Sequence, residues 1–380
     1  MRISIVGPSF PFRGGIAHYT TLLCSSLGAR HEVSLVSMSR LYPKLLFPGR
    51  TQTDTSEVKL AIDNAEQLVD SMNPFSWIRA SNRIRELAPD LVIIQWWHPF
   101  FAPAFGTIAR RCRKFSKVMF LCHNVLPHEQ TGPVRLLTKF ALSSGDMFVV
   151  HSEEDLQNLK DLIPSAKVRK GRHPTYEVFN QHPIEKQDAR AELNLKEDQK
   201  VILFFGLIRE YKGLKYLIQA VPSILTTVDI QLLIVGEFYD DREKYISLIK
   251  ELGIEHKVRI RDEYIPNEAV GTYFAAADLV VLPYISATQS GIAQIAYGFD
   301  RPVVTTNVGG LAEAVKHEKT GLVVPPADPK ALADAVVQFF KEDLSDSFVH
   351  NIREFREEFS WDRMVEIIED LASNNNGDSR

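Results

Sequence analysis

Two basic residues beside glycines follow an apolar stretch in the second half of the chain. Val201–Phe205 has the composition of a buried strand, and the segment GLIREYKG follows it at residues 206–213. Arg209 and Lys212 therefore lie just past a strand end. The glycines of the same segment, Gly206 among them, have no side chain, so the backbone there can approach a ligand closely. Two cations fixed there can bind a diphosphate and stabilise it as a leaving group. The alternative interpretation is an exposed loop with ordinary surface cations.

A second candidate phosphate site is predicted further along the chain. The apolar strand Leu279–Leu282 breaks at Pro283 and leads through a polar loop to Ser290–Gly291, where an almost uncharged helix begins. A further strand at Pro302–Thr305 completes a βαβ unit, and such units bind ligands at the carboxyl ends of their strands. Free N–H groups and the dipole at the helix start favour a phosphate. The alternative is a buried core helix that follows a glycine-containing turn.

The first half offers candidates of the same kind. The strand Arg2–Gly7 leads into a loop rich in Pro and Gly that ends at Gly14–Gly15, where backbone can approach a ligand closely. The pattern G-x-G-x-x-G is absent, so a nicotinamide-type dinucleotide site is not supported. His123 sits just past the predicted strand Val118–Cys122, a position typical of functional residues in α/β sheets. For Gly14–Gly15 the alternative is a simple turn, and for His123 the alternative is a structural histidine.

Aromatic residues crowd the end of another predicted strand. The segment QWWHPFF at residues 95–101 can form the floor of a binding cleft or contact an acceptor molecule, and buried packing is an equally good interpretation. We take Trp97 and His98, together with Arg13 of the first loop, as candidates for the acceptor side of a site.

Length and composition restrict the class of protein. With 380 residues, 45% apolar and 24% charged, the chain is expected to form two globular domains. Residues 1–180 carry 22 Lys+Arg against 15 Asp+Glu, net +7, and the remainder carries 22 against 33, net −11. This asymmetry suggests two domains with different partners. Three cysteines without paired spacing, no signal-peptide pattern and no membrane-spanning stretch fit a cytoplasmic location.

Basic residues are interleaved with apolar ones in three segments of the first half. They are RLYPKLLFPGR at 40–50, FSWIRASNRIR at 75–85 and the basic run 110–117. We interpret the first two as exposed loops suited to an anionic membrane surface, which predicts peripheral association with the inner face of the cell membrane. Ordinary solvated helix faces are the alternative. Nucleic acid is not expected as a partner, because the pI is near 6.3 and no nucleic-acid motif is present.

Taken in order, these motifs resemble those of glycosyltransferase family 4 enzymes with the GT-B fold. The resemblance rests on Gly14–Gly15, on His123, on GLIREYKG, and on RPVVTTNVGGLAEAV followed by TGLVVPPADPKALA. It implies two Rossmann-like domains with a nucleotide-sugar donor in the cleft between them, and retaining sugar transfer without a catalytic metal. It further implies that Arg209 and Lys212 bind the donor diphosphate, that Gly15 lies near the phosphates and the acceptor, and that His123 contacts the donor sugar.

The chain departs from the family pattern at one place. The family usually has a Glu-x7-Glu pair, and counting back from Pro302 puts Ala287 and Ile295 at its positions. The first glutamate normally contacts the donor sugar and the second contacts the ribose. We expect neutral groups to take over these contacts: Gln289, Ser290 and Gly291 toward sugar and phosphate, and Gln294 toward the ribose.

The sequence therefore predicts an α/β protein of GT-B fold with two doubly wound, Rossmann-like domains. We expect an acceptor domain at 1–180, a nucleotide-sugar domain at 181–358 and a C-terminal helix at 359–380 that crosses back to the first domain. The predicted activity is a metal-independent hexosyltransferase that needs no cofactor. It would move a sugar from a nucleotide-sugar, UDP- or GDP-linked, to a glycan or lipid-linked acceptor in cell-envelope or polysaccharide biosynthesis. A catalytically weak binding relative and a GT-B nucleotide-sugar epimerase are the alternatives.

Overall fold

The chain folds into two compact units. The computed structural model describes residues 1–43, 47, 49–127 and 132–373. One unit comprises Met1–Thr55, Lys59–His173 and the segment that begins at Ser360, and the other comprises Ser56–Val58 and Pro174–Phe359. The junctions between the units thus fall at His173 and Phe359, so the C-terminal helix belongs to the first unit.

Each unit is built around one parallel sheet. The strands are β1 Arg2–Val6, β2 Glu32–Arg40, β3 Glu66–Asp70, β4 Leu91–Trp96, β5 Lys117–Cys122, β6 Met147–Val150 and β7 Val168–Lys170 in the first unit, and β8 Lys200–Phe205, β9 Ile230–Val235, β10 Val258–Arg261, β11 Leu279–Leu282, β12 Val303–Thr306 and β13 Gly321–Val324 in the second. The central strands are almost continuous apolar runs because helices cover both faces.

The helices follow the strands in a βα alternation. They are α1 Gly15–Gly28, α2 Pro74–Leu87, α3 Ala102–Cys112, α4 Gly132–Leu142, α5 Glu153–Leu162, α6 Lys186–Glu192, α7 Leu214–Leu225, α8 Arg242–Glu251, α9 Asn267–Ala276, α10 Gly291–Gly298, α11 Gly309–Ala314, α12 Pro329–Lys341, α13 Ser345–Phe355 and α14 Trp361–Ser373. Among the described residues, no helix is long and apolar enough to span a membrane.

The strand orders locate the ligand-binding edge of each sheet. The first sheet has the order β3-β2-β1-β4-β5-β6-β7 and the second has β10-β9-β8-β11-β12-β13. The order reverses between β1 and β4 in one sheet and between β8 and β11 in the other. Crevices at such reversals, outside the carboxyl ends of the strands, are where doubly wound sheets bind ligands. The doubly wound α/β architecture predicted from the sequence is confirmed.

Two separate cores show which helices cover which face of the first sheet. One core joins the strands to α2, α3 and α4 through residues such as Ile84, Phe105 and Ala141. The other joins the opposite face to α1 and α14 through Leu23 and Ile368. The C-terminal helix is thus a structural part of the first unit.

Two sequence interpretations are wrong in the first unit. The segment FSWIRASNRIR is not a loop but most of α2, which begins with Pro74 at its first turn and is capped by Asn73, whose side chain accepts from Phe75 N–H. The sequence also indicated no strand at 168–176, where the edge strand β7 lies. In the predicted loop at 40–50, Arg40 ends β2, and residues 44–46 and 48 lie outside the described residues.

Candidate active site

The loop between β8 and α7 has a backbone that only glycine allows. Gly206 and Gly213 have φ angles of +102° and +67°, and a Cβ on Gly213 would lie 1.9 Å from the carbonyl oxygen of Pro283. The loop is also tied to the segment after β11, because Ile285 N–H donates to the Tyr211 carbonyl at 2.7 Å. The two loops at the reversal point of the second sheet therefore form one rigid edge.

This edge holds two cations that have no carboxylate partner among the described residues. Lys212 is only 9% exposed, and its ammonium group lies 5.5 Å from the ring centre of Tyr284. Burial and, to a smaller extent, the positive charge of Arg209 together lower the pKa of Lys212 to about 8. Arg209 lies over the Tyr239 ring at 4.9 Å. A buried lysine beside another cation is unfavourable without an anion, so this arrangement points to an anionic ligand.

The start of α10 lies close to Lys212. A Cβ on Gly206 would lie 3.3 Å from Lys212 Nζ and 3.2 Å from Ile292 Cδ1, so the lysine and the first turn of α10 flank one glycine. Ser290 does not cap the helix with its side chain; its hydroxyl is 3.3 Å from the Tyr284 hydroxyl. The N–H groups at the helix start are therefore not satisfied by the N-cap side chain and can bind an anion.

The amide side chains near α10 differ in their surroundings. Gln294 is buried, and its Oε1 has no hydrogen-bond partner in the described part of the chain. Gln289 is half-buried in the loop before the helix. An unpaired buried amide oxygen is costly unless a ligand supplies a donor, which keeps Gln294 as a candidate contact.

The two positions at which the family pattern has glutamates are apolar and buried. Ala287 is 4% exposed and Ile295 is 8% exposed. Neither can supply a carboxylate, so no acidic side chain from these positions compensates Lys212 and Arg209. In the part of the chain that the structure describes, no group of three or more His, Cys, Asp or Glu side chains could hold a metal ion.

In the first unit, the glycine pair predicted from the sequence opens α1. Gly14 has φ +107° and precedes the helix without a side-chain cap, and Gly15 is the first helical residue. A Cβ added at either glycine would meet nothing within 4 Å. The start of α1 thus has open space beside the reversal point between β1 and β4.

His123 lies at the end of β5 in a buried group of aromatic and imidazole rings. Its Nε2–H donates to Gln95 Oε1 at 2.7 Å, and Tyr19 meets it edge-on with ring centres 4.5 Å apart. His151 and His173 lie 5.5 and 6.5 Å away. Burial holds the pKa of His123 well below its usual range, and the two other histidines act in the same direction. The imidazole of His123 is therefore neutral at physiological pH.

The acceptor-side candidates are not brought together as one group of free side chains. Trp97 donates from Nε1 to the Tyr42 hydroxyl at 3.2 Å and packs on Phe101 with ring centres 4.3 Å apart. His98 is exposed and accepts from Phe100 N–H through Nδ1, which caps a short helical turn. Arg13 is half-buried, and its backbone N–H donates to the Gln52 carbonyl. Their role toward an acceptor stays a prediction.

The sequence interpretation missed three residues around His123. Gln95 is fully buried on β4, and a Cβ on Gly7 would lie 2.6 Å from its Cγ, so Gly7 makes room for it. His151 follows β6 and donates from Nδ1 to the Gly171 carbonyl, and His173 follows β7. His151 and His173 each lie just past a strand end, whereas Gln95 lies within β4. This signal was not available for His173, because β7 was not predicted.

Two family models match the chain, one in each unit. Residues 13–169 match the model described as Glycosyltransferase Family 4, and residues 199–342 match the model described as Glycosyl transferases group 1. The second match covers all six strands of the second sheet, and the first covers the first sheet from β2 onward. The chain therefore contains two glycosyltransferase domains, one matched by each model.

Curated relatives are similar over part of their length. An uncharacterized glycosyltransferase of Methanocaldococcus jannaschii is 32% identical over 183 residues, which is 48% of this chain and 46% of the relative. The D-inositol 3-phosphate glycosyltransferase of Corynebacterium glutamicum is 26% identical over 266 residues, 64% of this chain and 62% of the relative. The chain spans about half the length of the curated relatives it matches.

Solved structures confirm the fold over the whole chain. Sucrose-phosphate synthase from Thermosynechococcus elongatus has a TM-score of 0.77 at 20% identity and covers 98% of both chains. Anabaena HepE in complex with UDP has a TM-score of 0.73 at 17% identity and covers 98% of this chain and 100% of its own. The two parallel sheets with interleaved helices are those of the GT-B fold.

Proposed function

We propose that this protein is a retaining glycosyltransferase that moves a sugar from a nucleotide-sugar donor to a glycan or lipid-linked acceptor. The observation that carries the proposal is the pair Arg209 and Lys212, two cations without a carboxylate partner in the described residues, at the reversal point of the second sheet. UDP- and GDP-sugars are the first donors to test. A neighbour of the same fold, HepE, has been solved with UDP and with UDP-glucose.

The cations suit the departure of a nucleoside diphosphate. In retaining transfer by front-face attack, the acceptor oxygen bonds to the anomeric carbon while the bond from that carbon to the diphosphate breaks. The proton of the acceptor hydroxyl passes to the leaving diphosphate oxygen. Negative charge grows on the diphosphate, and Arg209, Lys212 and the N–H groups that open α10 can stabilise it without reorganising. The protein otherwise supplies position, and neither a cofactor nor a metal is required by this scheme.

The neutral groups take the contacts that need no charge. We assign His123 to the donor sugar, Gly15 to the donor phosphates and the acceptor, and Gln289 and Gln294 to sugar and ribose hydroxyls. The unpaired Oε1 of Gln294 supports its assignment, because a ribose hydroxyl would satisfy it. Removing that amide should weaken donor affinity by about 0.5–1.5 kcal/mol, the usual net worth of a neutral hydrogen bond.

The acceptor is expected at a membrane or in a growing polysaccharide of the cell envelope. Residues 1–180 carry a net charge of +7, from 22 Lys+Arg against 15 Asp+Glu. That charge favours an anionic surface over a neutral one. We therefore propose a cytoplasmic protein that associates with the inner face of the membrane through its first unit.

Donor binding is the first experiment. Thermal unfolding is measured with UDP-, GDP-, ADP- and dTDP-sugars, and a donor present at 100 times its dissociation constant stabilises the fold by about 2.7 kcal/mol. Transfer is then measured with the best donor through release of the nucleoside diphosphate. Arg209→Ala and Lys212→Ala are each expected to lower turnover on the order of a hundredfold.

The matched control is Lys215→Ala, which removes an exposed lysine from the same helix-opening segment. It should leave donor binding and turnover unchanged. Normal kinetics in the folded Arg209 and Lys212 variants would contradict the assignment of the diphosphate. A donor that binds but is never turned over with any acceptor would favour the catalytically weak relative.

A further inference from the structure

Exposed apolar side chains are concentrated on two helices of the first unit. In the described part of the chain, ten large apolar side chains are exposed, and six of them lie on or directly before α2 and on α4: Met72, Phe75, Ile78, Leu136, Leu137 and Phe140. Phe75 is 81% exposed and Leu136 is 71% exposed. Single exposed apolar residues are ordinary, but a group on neighbouring elements marks an interaction surface.

The helix α4 is apolar on both of its sides. Its inner side buries Thr138, Ala141 and Leu142. Its outer side carries Leu136 and Phe140, four residues apart and therefore one above the other. A helix whose outer side is exposed only to water normally has polar residues on that side. The outer side of α4 thus has the composition of a surface that is covered in use.

One layer joins α4 to α2. Both helices pack against α3, which lies between them on the same face of the sheet. Arg111 of α3 donates to Asn82 Oδ1 of α2 at 2.9 Å, and Arg110 donates to the Phe140 carbonyl of α4 at 2.6 Å. The guanidinium of Arg110 also lies 3.7 Å from the centre of the Phe140 ring. The exposed apolar residues are therefore held in a fixed layer, with cations between them.

The charge of this layer is predominantly positive. The helices α2, α3 and α4 contain seven basic residues and one acidic residue: Arg79, Arg83, Arg85, Arg110, Arg111, Arg135, Lys139 and Glu86. On the opposite face, α14 has four acidic residues and one basic residue, and α1 has none of either. The fourth helix on the basic side, α5, is acidic, which confines the positive charge to the three helices.

We propose that the outer surface of α2, α3 and α4 is a membrane-binding face for an anionic bilayer. Only the purpose of this membrane binding rests on the proposed function. Phe75, Leu136, Leu137 and Phe140 would enter the boundary between headgroups and acyl chains, and the arginines and lysine would pair with lipid phosphates. Basic residues beside aromatic and leucine side chains are the composition that binds such an interface. Exposed leucines favour a bilayer over a nucleic acid, which has no apolar surface of that kind to offer.

The test is flotation of the full chain with vesicles, in the absence of donor and acceptor. Vesicles of phosphatidylcholine alone are compared with an equimolar mixture of phosphatidylcholine and phosphatidylglycerol. Binding should require the anionic lipid and weaken as salt is raised. The double variant Arg135→Gln with Lys139→Gln should bind about 25-fold more weakly, since each basic residue contributes about fivefold.

The apolar contribution is tested separately. Phe75→Ser and Leu136→Ser should each weaken vesicle binding on the order of tenfold, because each removes a large side chain from the lipid. Lys160→Gln, at an exposed position of α5, and Val58→Ser, at an exposed position of the second unit, are the matched controls and should bind like the wild type. Thermal unfolding confirms that every variant is folded.

Several results would overturn the proposal: equal binding to both kinds of vesicle, no binding at all, unchanged binding by the four substitutions, or retention on nucleic acid without vesicle binding. Vesicle binding needs no donor. A protein that binds anionic vesicles but no nucleotide-sugar would therefore contradict the proposed transfer and support the membrane face. A protein that binds a nucleotide-sugar but no anionic vesicles would support the proposed transfer and contradict the membrane face.

Discussion

Replacing Lys212 by methionine should make the protein more stable while it weakens donor binding. Burial and the neighbouring Arg209 lower the pKa of Lys212 from its usual 10.5 to about 8. Each unit of pKa corresponds to about 1.4 kcal/mol, so holding this lysine charged in the folded protein costs about 3 kcal/mol. Methionine has a similar length and no charge to desolvate, and it can fill the same space beside Gly206 and Tyr284.

The stabilisation should depend on pH in a defined direction. Below pH 8 the lysine is charged in both the folded and the unfolded chain, so the wild type bears the full cost and Lys212→Met gains about 3 kcal/mol. As the pH rises from about 8 toward 10.5, the folded protein loses this proton before the unfolded chain does. The stability of the wild type then rises relative to the variant, and the advantage of methionine disappears.

Thermal unfolding at a series of pH values measures this effect. For a unit of this size, about 3 kcal/mol corresponds to an increase of about 6–12 °C in the unfolding temperature at pH 7. Lys215→Met, at an exposed position, is the control and should change little. An unfolding temperature at or below that of the wild type, or an increase that persists unchanged to pH 10.5, would refute the claim that Lys212 is held charged at a cost.

Three further predictions concern the sites themselves. Donor affinity should fall as the pH rises through about 8, where the free protein's Lys212 loses its charge, and calorimetric titration should show no such fall in Lys212→Met. Gln95→Glu should raise the pKa of His123, because a carboxylate beside Nε2 favours the imidazolium; histidine NMR titration would show this, and an unchanged titration would count against the contact. Turnover should survive a chelator, because Arg209 and Lys212 provide the positive charge; activity lost with chelator and restored by magnesium or manganese would show the opposite.

The interior strands were predictable because both of their faces are covered. Leu279–Leu282 has the predicted bounds, since a short apolar run bounded by polar or turn residues indicates a buried parallel strand. The strands β3 and β7 were not predicted. Both lie at edges of the first sheet, where exposure allows the polar sequences EQLVD and VRK and removes the hydrophobic signal.

The candidate site was predictable from the sequence only for residues that lie close together in one segment. Gly206, Arg209 and Lys212 lie within one loop, so their spacing alone placed them beside a strand end. The group around His123 could not be predicted in this way, because its members come from different strand ends and a helix far apart in the sequence. Only the parallel sheet, which aligns carboxyl ends at one edge, brings Gln95 and His151 to the same ring.

The low pKa of Lys212 agrees with the apolar residues at positions 287 and 295. A glutamate near the start of α10 would attract the ammonium group and raise the pKa of Lys212, but Ala287 and Ile295 occupy the two positions and are buried. The positive potential of Lys212 and Arg209 is therefore not compensated by acidic side chains from these positions. A bound diphosphate would relieve it, so binding a donor and removing an unfavourable charge would be the same event. A site of this kind lowers folding stability and raises affinity for an anion, which is why Lys212 is also a residue whose loss should stabilise the fold.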